Sequence, residues 1–183
     1  MVTQNKLVTY DDYQNLPDDG KRYEISGGKL YIAPSPNTLH QRISRKLEYE
    51  LEDYIRKHNS GEIFTAPMDV VLSMTDVVQP DLMYISKERS RIITEKNIVA
   101  APDLVIAITS ESTKTIDQTS KKTLYEKHGV REYWIVDPEN KQAEQYVLRE
   151  ASFKLNDELK TSDKLISEVI NGFSLPLNKI FEE

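Results

Sequence analysis

The chain contains no cysteine among its 183 residues, so disulfides and thiolate metal sites are excluded. It also lacks any apolar run near the roughly 20 residues that a membrane-spanning helix requires. Residues 1–16 are polar and acidic, without the apolar segment of a secretory signal peptide. We therefore expect a cytoplasmic protein with no membrane partner.

Motifs that mark several common enzyme classes are absent as well. The sequence has no Gly-rich phosphate loop of the P-loop or dinucleotide type and no Gly-x-Ser-x-Gly nucleophile motif. Its three histidines, His40, His58 and His128, lack metal-ligand spacing. These absences argue against nucleotide-binding folds of those types, serine hydrolases and histidine zinc sites.

The charge is acidic overall but unevenly distributed. A net charge of -6 argues against a general nucleic-acid binder, because such proteins are usually basic. The segment from Lys87 to Arg131 nevertheless carries nine basic and six acidic residues. An anionic partner is therefore expected to contact this middle segment, unless the excess is ordinary scatter of surface charge.

The order of local patterns predicts a mixed α/β protein with a central sheet. A length of 183 residues suggests one domain over 1–183, with a lead-in over 1–20 and a C-terminal hairpin and tail over 139–183. The predicted elements are a hairpin in "RYEISGGKLYIAP", a helix from Thr38 with an apolar stripe (Leu39, Ile43, Leu47, Leu51, Ile55), strands in "EIFTAPMDVVLS", "DVVQPDLMYIS" and "PDLVIAITS", a helix in "TIDQTSKKTLYEKHG", a strand in "REYWIVDP" and an outer hairpin. A helix between the last two strands fits a right-handed crossover between parallel strands.

Two acids stand at the entrances of apolar strands, where they could act together. Asp81 follows Pro80 and Asp103 follows Pro102. Carboxylates at neighbouring strand ends can share Mg²⁺ or Mn²⁺, since hard cations take oxygen ligands. The alternative is that each aspartate only caps or turns the chain beside its proline.

Lys121 lies on the apolar face of the second predicted helix. Leu124 and Tyr125 follow it by three and four positions, and Asp117 precedes it by four. A lysine on a face that packs against a sheet is expected to be paired or functional. The alternative is a simple Asp117–Lys121 helix pair worth a few tenths of a kcal/mol.

With these residues assembled, the chain resembles the Uma-two family of restriction endonuclease-like proteins, a branch of the PD-(D/E)XK nuclease superfamily. The resemblance runs from about Tyr23 to Asp137. It rests on "YEISGGKLYIAPSPNTLHQRISRKL", "VVQPDLMYIS", "ITEKNIVAAPDLVIAITSEST", "DQTSKKTLYEKHGVREYWIVDP" and the closing "FSLPL". It implies a restriction endonuclease-like core of helix, three strands, helix and strand, with a mixed central sheet and peripheral hairpins.

The resemblance also implies roles for individual residues. Asp81 matches the metal-binding aspartate, and Lys121 matches a lysine that this branch carries on the helix. The second acid of the family falls at Ala107, within the strand "PDLVIAI". Supporting positions match His40, Gln79, Asp103 and Asp117.

The activity implied is Mg²⁺- or Mn²⁺-assisted hydrolysis of DNA phosphodiesters, with a homodimer as the form that cuts both strands. A methyl group cannot bind a metal, so Ala107 predicts weak or absent metal binding and an impaired or inactive enzyme. Ala107 is then a natural loss, an introduced substitution, or a gap filled by Asp103, although four residues along a strand span about 13 Å. A non-catalytic module that binds DNA or protein is the alternative function.

Overall fold

A six-stranded mixed sheet forms the centre of the protein in this computed structural model, which describes residues 7–182. The strands are β1 (Arg22–Ser26), β2 (Lys29–Ala33), β3 (Gly61–Thr65), β4 (Val70–Ser73), β5 (Asp76–Val78), β6 (Leu82–Ser86), β7 (Leu104–Ile108), β8 (Glu132–Asp137), β9 (Gln142–Arg149), β10 (Ser152–Lys160), β11 (Lys164–Ile166) and β12 (Ser174–Pro176). The central sheet has the order β10-β9-β8-β7-β6-β3, a second sheet has the order β2-β1-β5-β4, and β11 pairs with β12.

The helices are α1 (Tyr10–Tyr13), α2 (Thr38–His58), α3 (Lys114–Ile116), α4 (Lys122–His128) and α5 (Asn178–Phe181), with a 3₁₀ turn over Lys87–Ile92 and a π turn over Asp117–Lys121. None of the helices in the described chain is long and apolar enough to cross a membrane. The first six residues of the predicted lead-in lie outside the described residues. The predicted single domain over 1–183 stays a prediction.

The long helix α2 buries most of the predicted stripe. Ile43, Leu47, Leu51 and Ile55 are buried, whereas Leu39 is 39% exposed at the first turn. Thr38 and Gln41 have the spacing of a capping box, which would make Thr38 the N-cap. Residue 37, an asparagine, is the N-cap and accepts the amide of His40 at 2.8 Å. Asparagine caps at least as well as threonine, so the helix begins one residue earlier than the spacing suggests.

Two predicted strands are each divided between the two sheets. "EIFTAPMDVVLS" separates at Pro67 into β3 and β4, and "DVVQPDLMYIS" separates at Pro80 into β5 and β6. Proline cannot donate to a strand ladder, so each segment leaves one sheet there and enters the other. As a result, β1 and β5 of the second sheet lie beside the start of β6.

The remaining core follows the predicted order. Strands β7 and β8 are parallel and are joined through the segment α3–π turn–α4, while β6 and β7 are antiparallel. Helix α4 ends at Gly129, which has φ 79°, as the predicted C-cap requires. One face of the central sheet packs against α2 and the other against α4. The hairpin β9–β10 extends the central sheet at its edge through pairing of β9 with β8.

Candidate active site

Asp81 lies between the two sheets, one residue before β6. The β6–β7 register pairs Leu82 with Ile106, which places Asp81 opposite Ala107. The carboxylate accepts the amide of Ile108 at 2.8 Å, and its other oxygen is 3.3 Å from Nε2 of His40. Burial alone would raise the pKa of Asp81, but the bonds to His40 and Ile108 outweigh it and lower that pKa. Asp81 is therefore an ionised carboxylate held in a fixed position.

His40 comes to this carboxylate from the first turn of α2. Its backbone amide is bound by the cap at Asn37, which fixes the turn. Its Nε2 faces Asp81, while Nδ1 is buried and has no hydrogen-bond partner in the part of the chain that the structure describes. His40, one of the predicted supporting positions, is thus brought to Asp81 by the first turn of α2.

Lys121 extends into a group of acids from three separate elements. Its Nζ lies 3.3 Å from a carboxylate oxygen of Glu24 and 3.9 Å from Asp117. Burial would lower the pKa of Lys121, but the charges of Glu24, Asp117 and Asp81 outweigh it and raise that pKa. The side chain is thus a charged ammonium beside the carboxylate of Asp81.

Glu24, in β1, is the site residue that the sequence reasoning missed. It is 7% exposed and accepts the amide of Gln79 at 3.0 Å as well as facing Lys121. Successive side chains of a strand point to opposite faces, so Glu24 and Ile25 of "Tyr-Glu-Ile" lie on different faces of β1. The face of Glu24 is the one that a simple hairpin leaves exposed to water. Glu24 could have been identified only with the knowledge that β1 pairs with β5, through Ile25 and Val77. That pairing places a further strand beside the hairpin.

Asp117 is buried beside Lys121, at the start of the π turn. It is 3% exposed. Burial raises its pKa to about 6, since the attraction of Lys121 does not fully offset the cost of removing the carboxylate from water. π turns inside α-helices are frequent at functional sites, and this one places Asp117 and Lys121 on the same side.

Gln79 positions its neighbours and does not face the reaction site itself. Its side chain accepts Arg22 Nε at 3.2 Å and donates to Asp69 at 2.8 Å, while its backbone amide holds Glu24. A backbone carbonyl bond from Arg22 Nη2 to Gln79, at 2.9 Å, fixes the arginine further. Gln79, which was predicted as a supporting position, therefore links β1 to the end of β5 through hydrogen bonds.

Asp103 lies at the far end of β7 and outside the site, which corrects the expectation of a supporting role there. Its fully buried carboxylate accepts the amide of Ser86 at 2.8 Å and binds Arg89 and Arg131 at 3.1 and 2.9 Å. Burial would raise the pKa of Asp103, but these three donors lower it. Asp103 is a structural anchor, and it cannot replace an acid at Ala107.

Ala107 presents only a methyl group opposite Asp81, at the position where the resemblance implies a second acid. It is 6% exposed and belongs to the apolar layer on the α4 side of the sheet, the side from which Lys121 approaches. Among residues 7–182, no group of three or more His, Asp or Glu side chains is arranged to hold a metal ion. The expected divalent ion therefore does not fit this donor set, because Ala107 offers no carboxylate beside Asp81 and Lys121 occupies the space between Glu24 and Asp117.

Two connected depressions give access to the site. One, of about 210 Å³, is lined by Asp81, His40, Ser110, Asp117 and Lys121 among others. The second, of about 380 Å³, runs along α2 and also reaches His40 and Asp81. Charged and polar groups thus converge on a concave surface, as expected of a binding or catalytic site.

Comparisons with known proteins agree with this architecture. A crystal structure of "a putative nuclease belonging to DUF820" from Anabaena variabilis superposes with a TM-score of 0.79 at 18% identity, covering 95% of this chain and 97% of that one. No curated protein matches the chain. The sequence profile of the Uma2 family, described as "Putative restriction endonuclease", matches residues 10–178. The family description supports a nuclease-type function, and the chain belongs to the Uma2 family.

Proposed function

We propose that this protein is a nuclease-fold protein that binds DNA and whose metal-dependent phosphodiester hydrolysis is impaired at residue 107. The observation that carries the proposal is the β6–β7 register, in which Ala107 lies opposite the oriented carboxylate of Asp81. A two-carboxylate site for Mg²⁺ or Mn²⁺ needs an oxygen donor at that place. The methyl group leaves Asp81 as a single ligand.

Lys121 is the cation that remains at the site, and acids surround it. The ammonium of Lys121 is charged and is held beside Asp81 by Glu24 and Asp117. Three acids offset the charge of Lys121, so its contribution is to stabilise negative charge that develops on a phosphate and not to supply net attraction.

The alternative function is a non-catalytic module that keeps the nuclease fold for interaction with DNA or protein. The absence of a three-ligand metal group within the described residues favours it. The two functions differ in one measurable respect, since only an impaired nuclease regains metal binding and cleavage when the second acid is restored. The cytoplasmic location and the homodimer stay predictions from the sequence.

The test compares Ala107→Glu with the natural chain and with Ala107→Gln, which has the same size without the charge. Titration calorimetry with Mn²⁺ and nicking of supercoiled plasmid are measured on all three. We expect Ala107→Glu alone to gain divalent-ion binding and Mg²⁺-dependent nicking, and we expect both gains to vanish when Asp81→Asn is added.

If Ala107→Glu unfolds in urea like the glutamine variant yet binds no more Mn²⁺ and nicks no more plasmid, the catalytic function is refuted. DNA binding measured on the same samples would then decide for or against the interaction module.

A further inference from the structure

We propose that Arg22, Arg42 and Arg45 form a track that docks the sugar-phosphate backbone of DNA and leads it to Asp81. This inference rests on the proposed function and identifies the surface through which the nucleic acid enters.

The cleft along α2 is continuous with the site depression. Its lining includes Arg42 and Arg45 from α2, Thr65 and Ala66 from the end of β3, and Asp81. Residues shared between the cleft and the site depression are Arg22, Pro36, His40 and Asp81. A strand lying in the cleft would therefore reach Asp81 and Lys121 without crossing a barrier.

The arginines of this cleft are available to a ligand. Arg42 and Arg45 are exposed, and neither bonds to a carboxylate within residues 7–182. Among the described residues, the guanidinium of Arg22 bonds only to Gln79, which is neutral. By contrast, most other arginines of the described chain pair internally; these pairs are Arg56–Glu52, Arg89–Asp103, Arg131–Asp103 and Arg149–Glu168.

The basic segment from Lys87 to Arg131 does not offer the same opportunity, although its composition pointed there. Several of its cations are paired with buried carboxylates, in the pairs Arg89–Asp103, Arg131–Asp103, Lys114–Asp137, Lys121–Glu24 and Lys127–Asp76. A count of charges along the sequence cannot separate paired cations from unpaired ones. Arg42 and Arg45 of α2 are therefore better placed than this segment to contact an anionic partner.

The chemistry of the cleft favours phosphates. Arg42 and Arg45 are three positions apart and share one face of α2, and guanidinium groups form forked hydrogen bonds to phosphate oxygens. Three arginines face two carboxylates in the cleft, Asp81 and Glu48. The chain as a whole has a net charge of -6, but this cleft has a local excess of positive charge, which attracts a polyanion.

The experiment measures binding of fluorescein-labelled oligonucleotides by fluorescence anisotropy, in EDTA so that no cleavage occurs. Duplex DNA, single-stranded DNA and single-stranded RNA of equal length form three arms, each over 50–200 mM salt. The test variant is Arg42→Gln with Arg45→Gln. The matched control is Arg56→Gln with Lys57→Gln, which removes the same charge from the far end of α2, where both cations are already paired.

We expect the natural chain to bind DNA with a strong salt dependence. The test variant should weaken DNA binding by about tenfold and lower the slope of log K against log salt by about 2, because each phosphate contact contributes close to one unit. The control should bind within about twofold of the natural chain. Equal losses in both variants, no DNA binding by the natural chain, or binding of RNA alone would each overturn the inference.

Failure of this inference can be separated from failure of the proposed function. If Ala107→Glu nicks plasmid equally well with and without the two arginine substitutions, the track is wrong and the nuclease proposal stands. If Ala107→Glu never nicks while the arginines still carry DNA binding, hydrolysis is refuted and the track stands.

Discussion

Replacing Asp117 by asparagine should stabilise the protein, although the residue belongs to the candidate site. Asp117 is 3% exposed, and its pKa is raised to about 6 from an ordinary value of 3.8. The folded protein therefore holds a proton at Asp117 more tightly than the unfolded chain does. Stability falls as the pH rises from about 4 to about 6, because the folded state must then bury a charge.

The size of the effect follows from the shift in pKa. A difference of about 2 pKa units corresponds to about 3 kcal/mol, at 1.36 kcal/mol per unit. The attraction of Lys121 is already included in this shift, as it lowers the pKa that burial raises. Asparagine keeps the shape and carries no charge. Asp117→Asn is thus expected to be more stable than the natural chain by about 3 kcal/mol at pH 8.

The assay is urea unfolding between pH 4 and pH 8, followed by the fluorescence of Trp134, the one tryptophan of the sequence and a fully buried side chain. The stability gain of Asp117→Asn should be full at pH 8 and should vanish near pH 4. Asp18→Asn, at an exposed position, is the control and should change stability by less than about 0.5 kcal/mol. A variant that is less stable than the natural chain at pH 8, or a gain independent of pH, would refute the reasoning.

Three further substitutions test the packing that holds the site, each by urea unfolding. Asp76 is fully buried, and its hydrogen bonds outweigh the effect of burial and lower its pKa to about 2. Its ionised form therefore stabilises the fold above about pH 4. Asp76→Asn should cost about 2 kcal/mol of folding stability at pH 7. That difference should shrink as the pH falls from about 4 to about 2. Glu132 accepts five hydrogen bonds from Trp134, Gln145 and residues 167–169. In Glu132→Gln, an amide NH₂ group would face hydrogen-bond donors, so the substitution should cost about 3 kcal/mol of folding stability. Gly61→Ala should cost about 2 kcal/mol, because a Cβ there would lie 2.2 Å from the carbonyl oxygen of residue 85.

The parts of the fold that depend on local pattern could be predicted from the sequence. The stripe of α2, the buried strand β7, the helix ending at Gly129 and the crossover to β8 all follow from periodicity and from the conformational preference of glycine. Asp81 and Lys121 could be named for the same reason. Each stands at a recognisable place on one element, and the resemblance to a family gave both a role.

The parts that depend on which strands are neighbours could not be predicted. Pro67 and Pro80 look like irregularities within strands, and only the folded chain reveals that it changes sheets at both. That change brings β1 beside β5 and so places Glu24 against Lys121. Asp103 illustrates the converse, because identical Pro-Asp-Leu entrances put Asp81 and Asp103 at opposite ends of an antiparallel pair.

The proposed DNA binding and the proposed hydrolysis are separable because they depend on different elements. Lys121 is held by Glu24 from β1 and by Asp117 from the π turn, so an alanine at position 107 does not leave its ammonium unpaired. The arginines of the cleft lie on β1 and α2, away from residue 107. A methyl group at Ala107 also packs well in an apolar layer, whereas a carboxylate there needs a cation. Selection for DNA binding alone would therefore tolerate Ala107. A glutamate at position 107 would enter a site whose other residues are already in place.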